Sequence, residues 1–223
     1  MLLKTEIRKI LKEEFKSFLK PYGYKPSSSE TGFVRKTNEG FCDIGIGIVD
    51  YRPEFLFSLG FSIRIDTVQK ISNHLFNIMP KYQESTTTIM VPAKFFTGVD
   101  DYKITNAGGL QEFIDFFKKL YADKVDSFLA ANSTLGGLVK TIFTDHIEPG
   151  KVFQHYHFIT RIILAHLGKI EFYDLVAEEY YKIYCEEYPE SKEEQEEIRR
   201  AINYLKTIDP DKAVQIDCNL PSR

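Results

Sequence analysis

The chain has 223 residues, 43% of them hydrophobic and 27% charged, with a formal net charge of −3. That length can bury a sizeable core without a disulfide or metal staple, and a charge this close to neutral lacks the basic footprint of a nucleic-acid binder. Cys42, Cys185 and Cys218 are odd in number and far apart, which argues for reduced thiols and against a disulfide frame or a zinc site.

Residues 2–20 place Leu3, Ile7, Ile10, Leu11, Phe15, Phe18 and Leu19 at three- and four-residue steps, with Lys and Glu between them. This predicts an amphipathic helix stopped by Pro21 and Gly23. The same stretch meets charge too often for a signal peptide, and no window of about 18 apolar residues occurs later. The expectation is a cytoplasmic protein without a membrane segment. KPSSSETG then reads as a loop, GFVRK as a strand and TNEG as a hairpin turn.

Two strands follow, FCDIGIGIV (41–49) and FLFSLGFSIRI (55–65), in which apolar residues alternate. If YRPE closes the hairpin, Cys42 faces Ile63, Ile44 faces Phe61, Ile46 faces Leu59 and Ile48 faces Phe57. The other face then pairs Asp43 with Ser62, Gly45 with Gly60, Gly47 with Ser58 and Val49 with Leu56. A single register accounts for both faces, and a slip by one residue would invert them. The second face is a lane of Gly and Ser, where a ligand, a peptide or a helix of the same chain can approach the backbone closely, or where the sheet is simply bare.

Beyond Asp66, TVQKISNHLFNIM has helical spacing up to Pro80, and STTTIMV and KFFTG look like one or two further strands. Helices are expected over 107–131, 134–145, 151–167, 170–187 and 192–207, followed by an irregular tail with a short strand at AVQI. Strands first and helices later make an α+β fold: an antiparallel meander flanked by helices, then an all-helical C-terminal half. The expected regions are 1–106 (sheet), 107–207 (helices packed on it) and 208–223 (tail), in one compact unit.

FQHYHFITRIILAHLGK (153–169) carries three of the five histidines. Its apolar residues recur at helical spacing, so His155 and His157 are two steps apart and do not face each other, whereas chelating pairs sit three or four apart. Tyr156, His157 and Arg161, with His146 and Glu148 just upstream, leave a polar cluster conceivable, but a packing helix is the plainer reading. TNAGGL and TLGGLVKT lack the spacing of a phosphate loop and read as helix starts. No GxSxG, HExxH, GxGxxG or EF-hand pattern occurs, so no catalytic residue, cofactor or metal is assigned. Residues 171–197 hold eleven Asp/Glu against two Lys/Arg. Within them Leu175, Val176, Tyr180, Ile183 and Tyr184 form a buried stripe, surrounded by Glu178, Glu179, Glu186, Glu187, Glu193 and Glu194.

A helix ending in KPYGYK, then GFVRK, then a meander containing LGFSIRI, resembles bacterial proteins with a domain of unknown function that open with a helix, a GF/GY turn, an F-x-R strand and a meander. The resemblance covers residues 1–65. Some proteins of that build are suspected immunity proteins, and the resemblance implies a protein-binding role of that kind. Two readings follow from the residues. The favoured one is a non-enzymatic module that binds a basic protein through the acidic, tyrosine-rich helices. The alternative is a small-molecule binder or enzyme with a pocket lined by Gly45, Gly47, Ser58, Gly60 and Ser62, with His155, Tyr156, His157 or Arg161 at its edge.

Overall fold

The computed structural model describes residues 3–29, 31–75, 78–144 and 157–212. Lys4–Leu19 forms α1, at whose start the Glu6 carboxylate accepts from the Leu3 N–H at 2.9 Å. Its buried stripe is Ile7, Leu11, Phe15 and Leu19, one residue per turn. Pro21 lies in a single 3₁₀ turn, and Gly23 closes it at φ 84°, a left-handed conformation that penalises any Cβ.

Lys25–Pro26 (β1) and Phe33–Lys36 (β2) lead into the long hairpin of Gly40–Tyr51 (β3) and Glu54–Ile65 (β4). Cys42 pairs with Ile63, Ile44 with Phe61, Gly45 with Gly60 and Gly47 with Ser58, the register that the alternation dictates. At Gly40 a Cβ would lie 2.1 Å from the Arg64 carbonyl oxygen, so the entrance to β3 admits only glycine. Asp66–Leu75 (α2) and the short Pro80–Gln83 (α3) follow, then Ile89–Pro92 (β5). The aspartate at the head of α2 turns its carboxylate to Arg64 Nε at 2.5 Å.

Lys94–Thr97 is a helical turn (α4), not the strand that KFFTG suggests. Pro92 ends the preceding strand's supply of donors, and the helical turn lets both phenylalanines pack: Phe96 lies 5.8 Å from the Phe61 ring, and Phe95 and Phe96 both reach Phe128. Tyr102–Ile104 (β6), three residues that carry no strand period of their own, pairs with β4. The sheet is antiparallel throughout, in the order β1-β2-β3-β4-β5 with β6 also on β4.

Ala107–Leu120 (α5), a five-residue π turn at Tyr121–Val125 and Asp126–Asn132 (α6) continue as one rod. Asn106 caps α5 through Gly109 N–H, and Thr134 caps Leu135–Phe143 (α7) through Gly137 N–H, so both Gly-Gly pairs are helix starts. His157–Leu167 (α8), Tyr173–Glu187 (α9) and Lys192–Leu205 (α10) complete the helical half. The architecture is α+β.

The apolar face of the hairpin lies under α1 and α5. Phe57 meets Phe113 at 4.8 Å and Phe15 meets Phe117 at 4.2 Å between ring centroids. Burying each such ring contributes about 1.5–3 kcal/mol. The same hydrophobic cluster runs on into α8, α9 and α10 through Ile162, Ala177 and Ile202.

Candidate functional site

On its second face the sheet is open at one end and closed at the other. Gly47, Ser58 and Val49 are exposed, Gly45 and Gly60 half-buried, and Ser62 and Arg64 buried. A Cβ added at Gly45 would meet nothing within 4 Å. The closed end is stitched by Arg64, whose Nη1 donates to Gln83 O at 2.6 Å and Thr86 O at 2.9 Å and whose guanidinium lies over the Phe41 ring. Asp43 stands on this face between Val34 and Ser62 in the pairing lattice. Burial pushes its carboxyl up to about 6.

Arg161 is 1% exposed and donates from Nη1 to Tyr180 Oη at 2.8 Å, within the packing of α8 on α9. His155 and Tyr156 lie outside the described residues, and His157 is described only as the first residue of α8. Of the described histidines, His166 is buried, joins Ile208 O at 2.9 Å and sits against the Tyr173 ring. Burial lowers its pKa, which keeps it neutral near pH 7. His74 packs on the Tyr204 ring.

The acidic helices α9 and α10 form a hairpin fastened by a ladder across its seam. Asp174 pairs with Lys206 at 2.8 Å, Glu178 pairs with Arg199, and Tyr184 Oη donates to Glu194. Arg199 also lies 3.8 Å above the Tyr181 ring. Its hydrogen bond holds the Glu178 carboxyl below its usual range. Tyr184, Gln195, Ile198, Ala201, Ile202 and Leu205 are buried beneath.

The glutamates singled out from the sequence are therefore of two kinds. All six are exposed. Glu178 and Glu194 serve the seam, and Glu186 has only the loose pairing with Lys182 one turn away at 3.8 Å. Glu179, Glu187 and Glu193 make no ion pair among the described residues and face solvent. The hairpin carries ten acidic and four basic residues over 173–205. Of the stripe expected to be buried, Tyr184 is buried and Val176, Tyr180 and Ile183 are half-buried, but Leu175 at the leading end is 69% exposed, beside Phe172 at 61%, and Tyr188 is exposed at the turn. An apolar anchor next to charge is the composition of a recognition surface.

A polar cluster between the sheet and the α5–α6 rod has no signature in the sequence. Arg35 Nη1 pairs with Asp126 at 3.0 Å across 91 residues, Tyr121 Oη donates to the same carboxylate oxygen at 3.1 Å, and the Arg35 guanidinium lies 5.0 Å from the Tyr24 ring centroid. The π turn begins at Tyr121, where Asp126 N–H reaches back to Tyr121 O. Burial raises the pKa of Cys42, Tyr24 and Tyr121, with Arg35 opposing it at each. All three groups stay protonated near neutrality, so none of them supplies a thiolate or a phenolate there. Tyr24 Oη approaches Tyr121 without reaching hydrogen-bond geometry. This arrangement fastens the helical layer to β2.

No group of three or more His, Cys, Asp or Glu suited to a metal occurs among the described residues, and no helix among them is long and apolar enough to cross a membrane. Comparison with family models, curated proteins and solved structures found no match. The functional reading therefore rests on these surfaces alone.

Proposed function

We propose that the protein is a cytoplasmic, non-enzymatic binding module whose α9–α10 hairpin docks a basic protein partner. The observation that carries this reading is the division of labour among the glutamates. The seam consumes Glu178 and Glu194, while Glu179, one turn from the exposed Leu175, and Glu187 and Glu193, at the other end of the hairpin where Tyr188 is exposed, remain solvent-facing. Unpaired surface charge contributes nothing to folding and costs self-repulsion. It speeds encounter with a basic surface and disfavours acidic competitors.

The test is recovery of a partner from lysate by the immobilised protein, compared with the Glu179→Lys/Glu187→Lys/Glu193→Lys variant. The reading expects a stoichiometric basic partner that is lost both in the variant and at about 1 M salt, where the Debye length is about 3 Å. A partner retained equally by the variant would refute it.

A second reading places a small ligand on the open Gly/Ser lane. Asp43 favours it, because a carboxyl that takes up a proton near pH 6 beside exposed backbone suits a hydrogen-bonding ligand. Chemical-shift changes confined to residues 43–49 and 56–62 on ligand addition would support it. Changes centred on α9 would not.

A further inference from the structure

The outer face of α1 carries a second run of charged side chains without ion-pair partners among the described residues. Ile7, Leu11, Phe15 and Leu19 turn inward, and Lys9, Lys12, Lys16 and Lys20, at steps of three, four and four, occupy the opposite side, all exposed. Glu14 on the flank is taken by Lys118 at 2.7 Å. None of the four lysines makes an ion pair among the described residues. Residues 4–22 carry six basic and three acidic side chains.

The lysine stripe and the acidic hairpin do not cover each other within one chain. α1 packs on α5 and β1, α9 and α10 pack on α8, and no ion pair among the described residues joins the two. A helix face of four lysines in one stripe is opposite in sign to the glutamates at 179 and 187, two turns apart on α9, and at 193 at the start of α10. Resting on the reading of the hairpin as a docking surface for a basic partner, we infer that one such partner is a second copy of this chain, with its α1 lysine stripe laid on α9–α10.

The two surfaces differ, so the assembly closes at two copies only where both contacts form reciprocally about a twofold axis, and is head-to-tail otherwise. A head-to-tail contact leaves one lysine stripe and one acidic hairpin free at the ends of every open assembly, so association continues beyond two copies unless the rotation closes a ring. Both surfaces are exposed and solvated, so the association is held by long-range attraction and collapses with salt.

Sedimentation velocity on the purified full chain tests this. The weight-average mass should rise with protein concentration at about 0.1 M salt, where the Debye length is about 10 Å, and return to the monomer at about 1 M. Lys9→Glu/Lys12→Glu/Lys16→Glu and Glu179→Lys/Glu187→Lys/Glu193→Lys should each be monomeric alone, and circular dichroism should match the parent because all six side chains are exposed. Mixed in equal amounts, the two variants should associate again, since each now presents the sign that the other lacks. A parent that stays monomeric at low salt, association that survives either reversal, or a mixture that stays monomeric would each overturn the inference. A monomeric parent that still captures a foreign basic protein would overturn it while leaving the hairpin's binding role intact. A monomeric parent with no captured partner would remove both.

Discussion

Replacing Asp43 by Asn should stabilise the protein, and should do so only above about pH 5. Asp43 is half-buried on the second face of the sheet, opposite Ser62 and Val34, and its carboxyl makes no hydrogen bond or ion pair among the described residues. Burial alone raises its carboxyl from 3.8 to about 6. Between those two values the folded state holds a proton that the unfolded chain has released, so this group's contribution to stability falls as pH rises through that window and then levels off. At 1.36 kcal/mol per pH unit the shift corresponds to about 3 kcal/mol. Water at a partly exposed carboxylate screens much of this, leaving a gain of about 1 kcal/mol at about pH 7.5 for the neutral isostere. That is about 2–4 °C in Tm for a chain of this size. Urea unfolding of both proteins at about pH 7.5 and about pH 4 measures it. A variant no more stable than the parent at the higher pH, or equally more stable at both, would refute the desolvation argument.

Gly45→Val adds a side chain where a Cβ meets nothing within 4 Å. It should stabilise by about 0.5–1 kcal/mol in the same assay, because glycine is costly in a strand interior and valine suits one; a loss of stability would mean that the lane is covered. Arg64→Met keeps the buried stem but takes from the Thr86 carbonyl its Arg64 donor, from the Gln83 carbonyl one of its donors, and from the Asp66 carboxylate its Nε–H. It should cost about 2–4 kcal/mol and speed hydrogen exchange across 83–88. A cost below about 0.5 kcal/mol would contradict the buried-network account.

The β3–β4 hairpin was legible because alternation and turn position together leave one register, and the structure pairs all of 42–49 with 56–63 accordingly. The long helices were legible from their three- and four-residue steps, and their caps from Asn106 and Thr134. KFFTG misled because phenylalanine is a strong strand former and its neighbours Phe61 and Phe128 are distant in sequence. The π turn and the Arg35–Asp126 pair were out of reach for the same reason: a contact across 91 residues has no periodicity. The acidic helices were visible as composition. What composition could not sort was which glutamates the seam with Arg199 and Tyr184 consumes and which remain free.

The most direct test of the binding account is zero-length carboxyl-to-amine cross-linking in lysate, followed by peptide mass spectrometry. The account predicts that Glu179, Glu187 and Glu193 dominate the intermolecular links, joined to lysines of a basic partner or to Lys9, Lys12 and Lys16 of a second copy, and that the links fade as salt is raised. Links that spare α9–α10 and arise instead from Asp43, Asp50 or Glu54 on the β3–β4 hairpin would contradict it and move the functional surface to the sheet.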